Sequence, residues 1–249
     1  VGGCDPREET AKSMAEMMIG QKLTAPDRGN DRTFGDVRLE VSNLSLASEE
    51  QFGTDLKDVN LTVRGGEILG VAGVAGNGQN ELFQALAGET EQFAAPDNIK
   101  IDGTSVAHFG PRRRRRLGAT FVPEERNGHG GNLQKFIVGR EILQDPGVLV
   151  ISQPTWGVDA GAASAIHQAL LDLAAKGTAV LVISQDLDEI FAICDQVVVM
   201  SEGKMSKSRP MADVSIEEIG LLMGGLHDLD GDATPANDML ATGGRVDQA

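Results

Sequence analysis

The chain has few of the residues that build metal centres, disulfide frameworks or membrane spans. Its two cysteines, Cys4 and Cys194, lie far apart in sequence. They offer neither a disulfide framework nor metal-ligand spacing, and they suit a reducing compartment. The four histidines are scattered and suggest no metal cluster. No apolar run approaches the ~18 residues a bilayer span needs. Basic residues are outnumbered, 22 Lys and Arg against 37 Asp and Glu, for a formal net charge of -15. A broad nucleic-acid surface is therefore excluded. No signal peptide is expected ahead of the fold. The chain opens on Val1 rather than Met and reads as a fragment of a longer polypeptide.

What is present alternates between strand and helix patterns. Residues 8–20 (EETAKSMAEMMIG) read as a short helix with a methionine stripe, and 21–35 as a polar linker. VRLEVSNLSL (37–46) and LKDVNLTV (56–63) are strand-like, and NIKIDG (98–103) reads as a hairpin arm. EILGVAG (67–73) is an apolar strand that runs into a glycine loop, and QNELFQALAG (79–88) is a helix ended by Gly88. PRRRRRLG (111–118) predicts a short basic helix with Pro111 in its first turn. Five consecutive arginines wrap around a helix, so that helix is expected to be solvated. ATFVPEE (119–125), GVLVIS (147–152) and TAVLVIS (178–184) have the continuous apolar character of buried parallel strands. Helices are expected over 132–146, 161–177 and 186–194, and a last strand over 196–200. The pattern predicts an α/β fold with a parallel sheet and an antiparallel piece near its start. Residues 226–249 are acidic and rich in Gly, Ala and Asp, the composition of a disordered tail.

The glycine loop carries the chemistry question. Gly73, Gly76 and Gly78 have P-loop spacing, with Asn77 between the last two, but Gln79 and Asn80 stand where Lys and Ser/Thr belong. The alternative dinucleotide fingerprint is not completed, because Glu81 occupies its last glycine position. An oxidoreductase reading is weak for that reason.

Five motifs in order, GEILGVAGVAGNGQNEL, FVPEER, GGNLQKFIVGREILQDP, QPTWGVD and VLVISQDLDEI, resemble an ABC transporter nucleotide-binding domain of the P-loop NTPase class. More narrowly, they are similar to the second ATP-binding half of the tandem ATPase subunits of simple-sugar and nucleoside importers. The resemblance covers about residues 36–225 and makes 1–35 the tail of a preceding ATPase half. It implies ATP as cofactor, with Mg²⁺ weak or absent at this half's own site. The implied partners are the first ATPase half, transmembrane permeases and, indirectly, a substrate-binding protein, with no nucleic acid. The implied place is peripheral, on the cytoplasmic side of the inner or plasma membrane.

The resemblance also assigns residues. Ser152 holds the Walker B aspartate position, Gln153 the general-base position and Gln185 the switch-histidine position, so no catalytic group is intact. Gly73, Gly76, Asn77, Gly78, Gln79, Asn80, Glu81, Glu124 and Phe52 are the nucleotide-site candidates. Phe52 is open to two readings, adenine stacking or ordinary packing. Gly130, Gly131, Asn132 and Gln134 form the signature segment, and Asp159 matches the D-loop aspartate. Trp156 is expected at a dimer seam, and His129 reads as a junction residue. The family carries a helical subdomain between the positions of Glu124 and Gly130, where only residues 125–129 stand here; the subdomain is either deleted or left out of this sequence. Without the lysine, phosphate affinity is expected to fall roughly 10- to 100-fold. The loop's backbone N–H groups would still attract an anion. A purely structural or regulatory dimerisation half is the alternative function.

Overall fold

A computed structural model describes Asp27 and residues 33–48, 50–90, 97–124 and 131–225. The helix over 8–20, His129, Gly130 and the acidic tail all lie outside these residues, as does most of the 21–35 linker.

Two sheets share one core. The first is antiparallel, in the order β2-β1-β4-β5, built from β1 (Val37–Leu46), β2 (Leu56–Arg64), β4 (Ile99–Ile101) and β5 (Thr104–Ser105). β1 and β2 alternate buried and exposed residues, as strands covered on one face do. The second sheet is mostly parallel. Its path is β10-β9-β3-β8-β7-β6, with β11 (Arg209–Pro210) also paired to β9. Its members are β3 (Ile68–Ala72), β6 (Ala119–Val122), β7 (Val148–Ser152), β8 (Ala179–Ser184), β9 (Gln196–Ser201) and β10 (Lys204–Met205). β3, β6, β7 and β8 are buried along their whole length. Their Val, Ile and Leu side chains fill both faces, which explains the uninterrupted apolar runs in the sequence.

Helix α1 (Gln79–Ala87) follows β3 and packs between the sheets. Its Leu82, Phe83 and Leu86 join Leu39, Val41, Leu69 and Ile99 in one buried cluster. The opposite face of the parallel sheet is covered by α4 (Ala160–Ala175), α5 (Leu187–Ile193) and α6 (Ile216–Met223), through Leu170, Ile190, Ile219 and Leu222. Asp159 caps α4 by accepting from the Ala162 N–H, and Ser215 with Glu218 forms a capping box on α6.

Between β6 and α3 (Gly131–Ile142) stand only residues 123–130, too few for a helical subdomain. α3 ends at Ile142, four residues short of the predicted stop at Pro146. The chain turns there through Asp145, whose φ is 50°.

The arginine run corrects an expectation. Helix α2 (Pro111–Arg116) does expose Arg112, Arg113 and Arg116, but Arg114 is fully buried. Its guanidinium donates to the carbonyls of Ala85 and Leu86 at 2.6 Å, Phe109 at 2.7 Å and Ala107 at 3.2 Å. Ala85 and Leu86 belong to the last turn of α1, whose carbonyls have no partner within the helix. One cation thus closes the helix that follows the glycine loop. Burial lowers the pKa of this arginine to about 10. Among the described residues no helix is long and apolar enough to cross a membrane.

Candidate functional site

The register of the parallel sheet brings the candidate residues together. Ala72 pairs with Ser184 and Ser152 pairs with Ile183, so β3, β7 and β8 end at one level. The residues leaving these strands meet in a pocket of about 230 Å³. Crevices beyond the carboxyl ends of parallel strands are the usual ligand sites of such sheets. The lining includes Phe52, Gly76, Gln79, Asn80, Glu81, Glu124, Ser152, Gln153 and Gln185. All of these are among the candidates named from the sequence. Glu50 and Gly53 join them from the β1–β2 connection, and no motif singled them out.

The loop's turn is built on glycine. Gly78 has a φ of 106°, and a Cβ there would come within 3.1 Å of Leu56 and 3.3 Å of the Gly203 backbone. Only glycine suits that position. Asn77 ties the loop to the β9–β10 turn: its Oδ1 accepts from the Glu202 N–H at 2.8 Å, and its carbonyl accepts from the Gly203 N–H at 3.0 Å.

The side chain at the lysine position turns back on this loop. Gln79 Oε1 accepts from the Asn77 backbone N–H at 3.1 Å, and Nε2 donates to the Val74 carbonyl at 2.8 Å. A Cβ on Gly73 would lie 2.3 Å from Gln79 Nε2, so glycine at 73 is what lets the amide fold in. One N–H that a phosphate cradle would offer is therefore already occupied from within.

The next turn adds negative charge. Glu81 is 8% exposed. Its Oε1 accepts from the Thr54 N–H at 2.9 Å and from Ser48 Oγ at 3.4 Å. Thr54 Oγ1 donates to the Gly76 carbonyl at 2.6 Å, binding the same segment to the loop. Glu50 and Glu124 also line the pocket, and among the described residues no lysine or arginine does. Phe52 is 92% exposed beside it, which removes the packing reading and leaves its ring open to a ligand.

Ser152 and Gln153 form the floor, 9% and 6% exposed. Gln153 has a φ of 50°, the left-handed region that a residue with a side chain seldom occupies. Its N–H donates to the Ile183 carbonyl at 2.8 Å, and that bond helps hold the turn. Such strain persists only where the surroundings fix it. Here Glu189 supplies a second anchor. It is buried and accepts from Ser184 Oγ at 2.6 Å and Thr155 Oγ1 at 2.9 Å, with His167 Nε2 at 3.0 Å. It joins the end of β8, the turn after β7 and α4. Sequence motifs did not single out Glu189, although it lies in VLVISQDLDEI.

The signature candidates lie elsewhere. Gly131 and Asn132 begin α3, and Gln134 is buried, its Nε2 donating to the Gln153 carbonyl at 3.4 Å. Lys135 Nζ lies 2.7 Å from Asp159 Oδ2, so the start of α3 is tied to the D-loop position. That contact with Lys135, with the Ala162 N–H, holds the Asp159 carboxyl below its ordinary pKa. Trp156 is 59% exposed in the same connection.

The donor set does not fit a magnesium triphosphate. A triphosphate needs cations and unpaired N–H groups, and the metal needs hydroxyl or carboxylate ligands at the loop and at Walker B. The lining offers amides at 79 and 80, a serine at 152 and carboxylates at 50, 81 and 124. Among the described residues, no group of three or more His, Cys, Asp and Glu could hold a metal ion.

No family model matches the chain. It is 32% identical to the glucose import ATP-binding protein TsgD13 of Haloferax volcanii, over 94% of this chain and 52% of that protein. It is 30% identical to the nucleoside import ATP-binding protein NupA of Lactococcus lactis, over 88% of this chain and 54% of NupA. The chain thus spans about half the length of the curated relatives it matches. The first alignment runs over 295 positions, more than the 249 residues present here, so that relative carries segments with no counterpart in this chain. Among solved structures, a nucleotide-free ATP-binding cassette from an ABC transporter matches with a TM-score of 0.61 at 18% identity, over 76% of this chain and 96% of that one. The ATP-binding subunit of another ABC transporter matches with a TM-score of 0.58 at 19% identity, over 75% and 99%.

Proposed function

The chain has the ABC ATPase fold, and from that premise we propose that it is a catalytically degenerate half of an importer's ATP-binding subunit. The solute class is a simple sugar or a nucleoside, in keeping with what the relatives are named for. The observation that carries the reading is the Gln79 amide, which closes the loop where a lysine would reach for phosphate. Ser152, Gln153 and Gln185 remove the remaining chemical groups. ATP therefore acts at a site this chain completes rather than owns. The N-terminus of α3, from Gly131, offers backbone N–H groups to a nucleotide held by the P-loop of a partner half. Lys135 and Asp159 hold that helix start in place. The partner half is the first half of the same polypeptide, and transmembrane permeases bind the pair at the cytoplasmic face of the membrane. Residues 36–225 form the nucleotide-binding domain in this account, preceded by an inter-domain segment and followed by an acidic tail.

The second reading, a half that binds no nucleotide in its own pocket, gains from the carboxylates there. Backbone N–H groups alone would predict weak ATP binding. The Gln79 latch and Glu81 argue against even that. Titration calorimetry with ATP, with and without Mg²⁺, decides the matter. No saturable heat in the micromolar range is expected under either condition. Tight, Mg²⁺-dependent binding would overturn the degenerate-half reading.

A further inference from the structure

An ABC pocket lined by Glu50 and Glu81, with no basic residue in its lining among the described residues, has reversed the charge that a phosphate site requires. We propose that this pocket takes a cationic hydrogen-bond donor, a guanidinium or an ammonium group, where a nucleotide's phosphates would otherwise lie. This rests on the reading that the pocket is closed to triphosphate.

Four features carry the inference beyond the acidic cluster. Glu81 is 8% exposed, and only its Oε1 is engaged, by Thr54 and Ser48. Its Oε2 has no partner among the described residues, and the residue lines the pocket. Gln153 is 6% exposed, and its side-chain amide makes no hydrogen bond within the described residues. Lining the pocket, that amide leaves its carbonyl oxygen open to a bound donor. Phe52 presents a ring that is 92% exposed, and a cation over an aromatic face within about 6 Å is attracted by its quadrupole. Finally, the volume of about 230 Å³ falls below the ~300–1,000 Å³ of ordinary small-molecule pockets. It suits a head group such as that of an arginine side chain. A guanidinium presents five N–H donors and no acceptor, which matches a lining of carboxylates and amide oxygens.

The test uses the protein's sole tryptophan. The backbone N–H of Trp156 donates to the Gln153 carbonyl at 3.1 Å, so its fluorescence reports on the turn that carries the pocket floor. N-acetyl-L-arginine amide, its uncharged urea analogue N-acetyl-citrulline amide, an N-acetylated glycine-serine peptide bearing one arginine, and ATP are titrated separately. Arginine amide is expected to saturate and citrulline amide to give no response. Glu81→Gln keeps the acceptor for Thr54 but loses the charge, and should weaken arginine amide about tenfold or more. Glu50→Gln, at an exposed position, should weaken it in the same direction and does not depend on core folding. Tighter binding of the peptide than of arginine amide identifies a partner's side chain as the source, and equal binding identifies a free cation. If arginine amide fails to bind, or binds equally well to both variants and wild type, the inference is overturned while the degenerate-half reading stands. If ATP binds in the micromolar range, that reading falls as well.

Discussion

Replacing Gln79 with lysine tests what closes the loop. The glutamine makes two internal bonds, to the Asn77 N–H and the Val74 carbonyl. Lysine has no acceptor, so Gln79→Lys releases the Asn77 N–H toward the pocket and adds a charge. The charge-assisted bond to a phosphate contributes about 1.5–3 kcal/mol and the released N–H about 1 kcal/mol. Together they amount to a gain of roughly 100- to 1,000-fold in affinity for pyrophosphate, less what Glu81 repels. Gln79→Met separates the two effects, because it frees the N–H without adding charge and should gain about fivefold. The assay is titration calorimetry with pyrophosphate at low and at physiological salt, since an exposed charge contribution is screened. Both variants lose the latch and should be less stable by about 1–2 kcal/mol. If Gln79→Lys binds pyrophosphate no better than wild type, the latch is not the block and the carboxylates alone exclude the anion.

Two further substitutions probe the scaffold. Arg114→Met removes the donor shared by four carbonyls, orphaning those of Leu86, Ala107 and Phe109, and should cost about 3–5 kcal/mol in denaturant unfolding. Exposed Arg116→Met should change stability by less than about 0.5 kcal/mol. Equal effects would mean that the buried guanidinium does not close the helix. Glu67 is buried at the start of the parallel sheet, and burial, with Asp195 nearby, raises its carboxyl above the ordinary carboxylate value. The folded state then holds a proton that the unfolded state has released. Glu67 therefore lowers stability as pH rises from the unfolded value, about 4.3, through the raised folded one. Glu67→Gln should gain on wild type in thermal melts at pH 7 relative to pH 4, and a gap that stays constant with pH would contradict this.

The strands were legible because a sheet covered on both faces demands unbroken apolar runs, and β3, β7 and β8 show them. The pocket was legible because motif residues follow those strands directly, so that register alone gathers Gln79, Ser152, Gln153 and Gln185. Arg114 was not legible. Its neighbours are identical in type, and only the tertiary approach of the end of α1 selects one of five to be buried. The hub at Glu189 was hidden similarly, since its donors Thr155, His167 and Ser184 come from three separate elements. Glu50 lies in a loop whose composition gives no hint that it borders the site. The end of α3 was misjudged because Pro146 marks where a helix cannot continue, whereas the chain leaves the helix earlier, at Ile142.

The central claim is that this chain serves a partner's nucleotide site and not its own. It is tested most directly by steady-state ATPase of the chain assembled with the half that supplies an intact P-loop. Gly131→Asp places bulk and a like charge at the helix start that faces the partner's phosphates, and it should abolish turnover. Gln79→Ala alters only the closed loop and should leave turnover near wild type. Loss of activity in Gln79→Ala with activity retained in Gly131→Asp would contradict the claim and reverse the two sites.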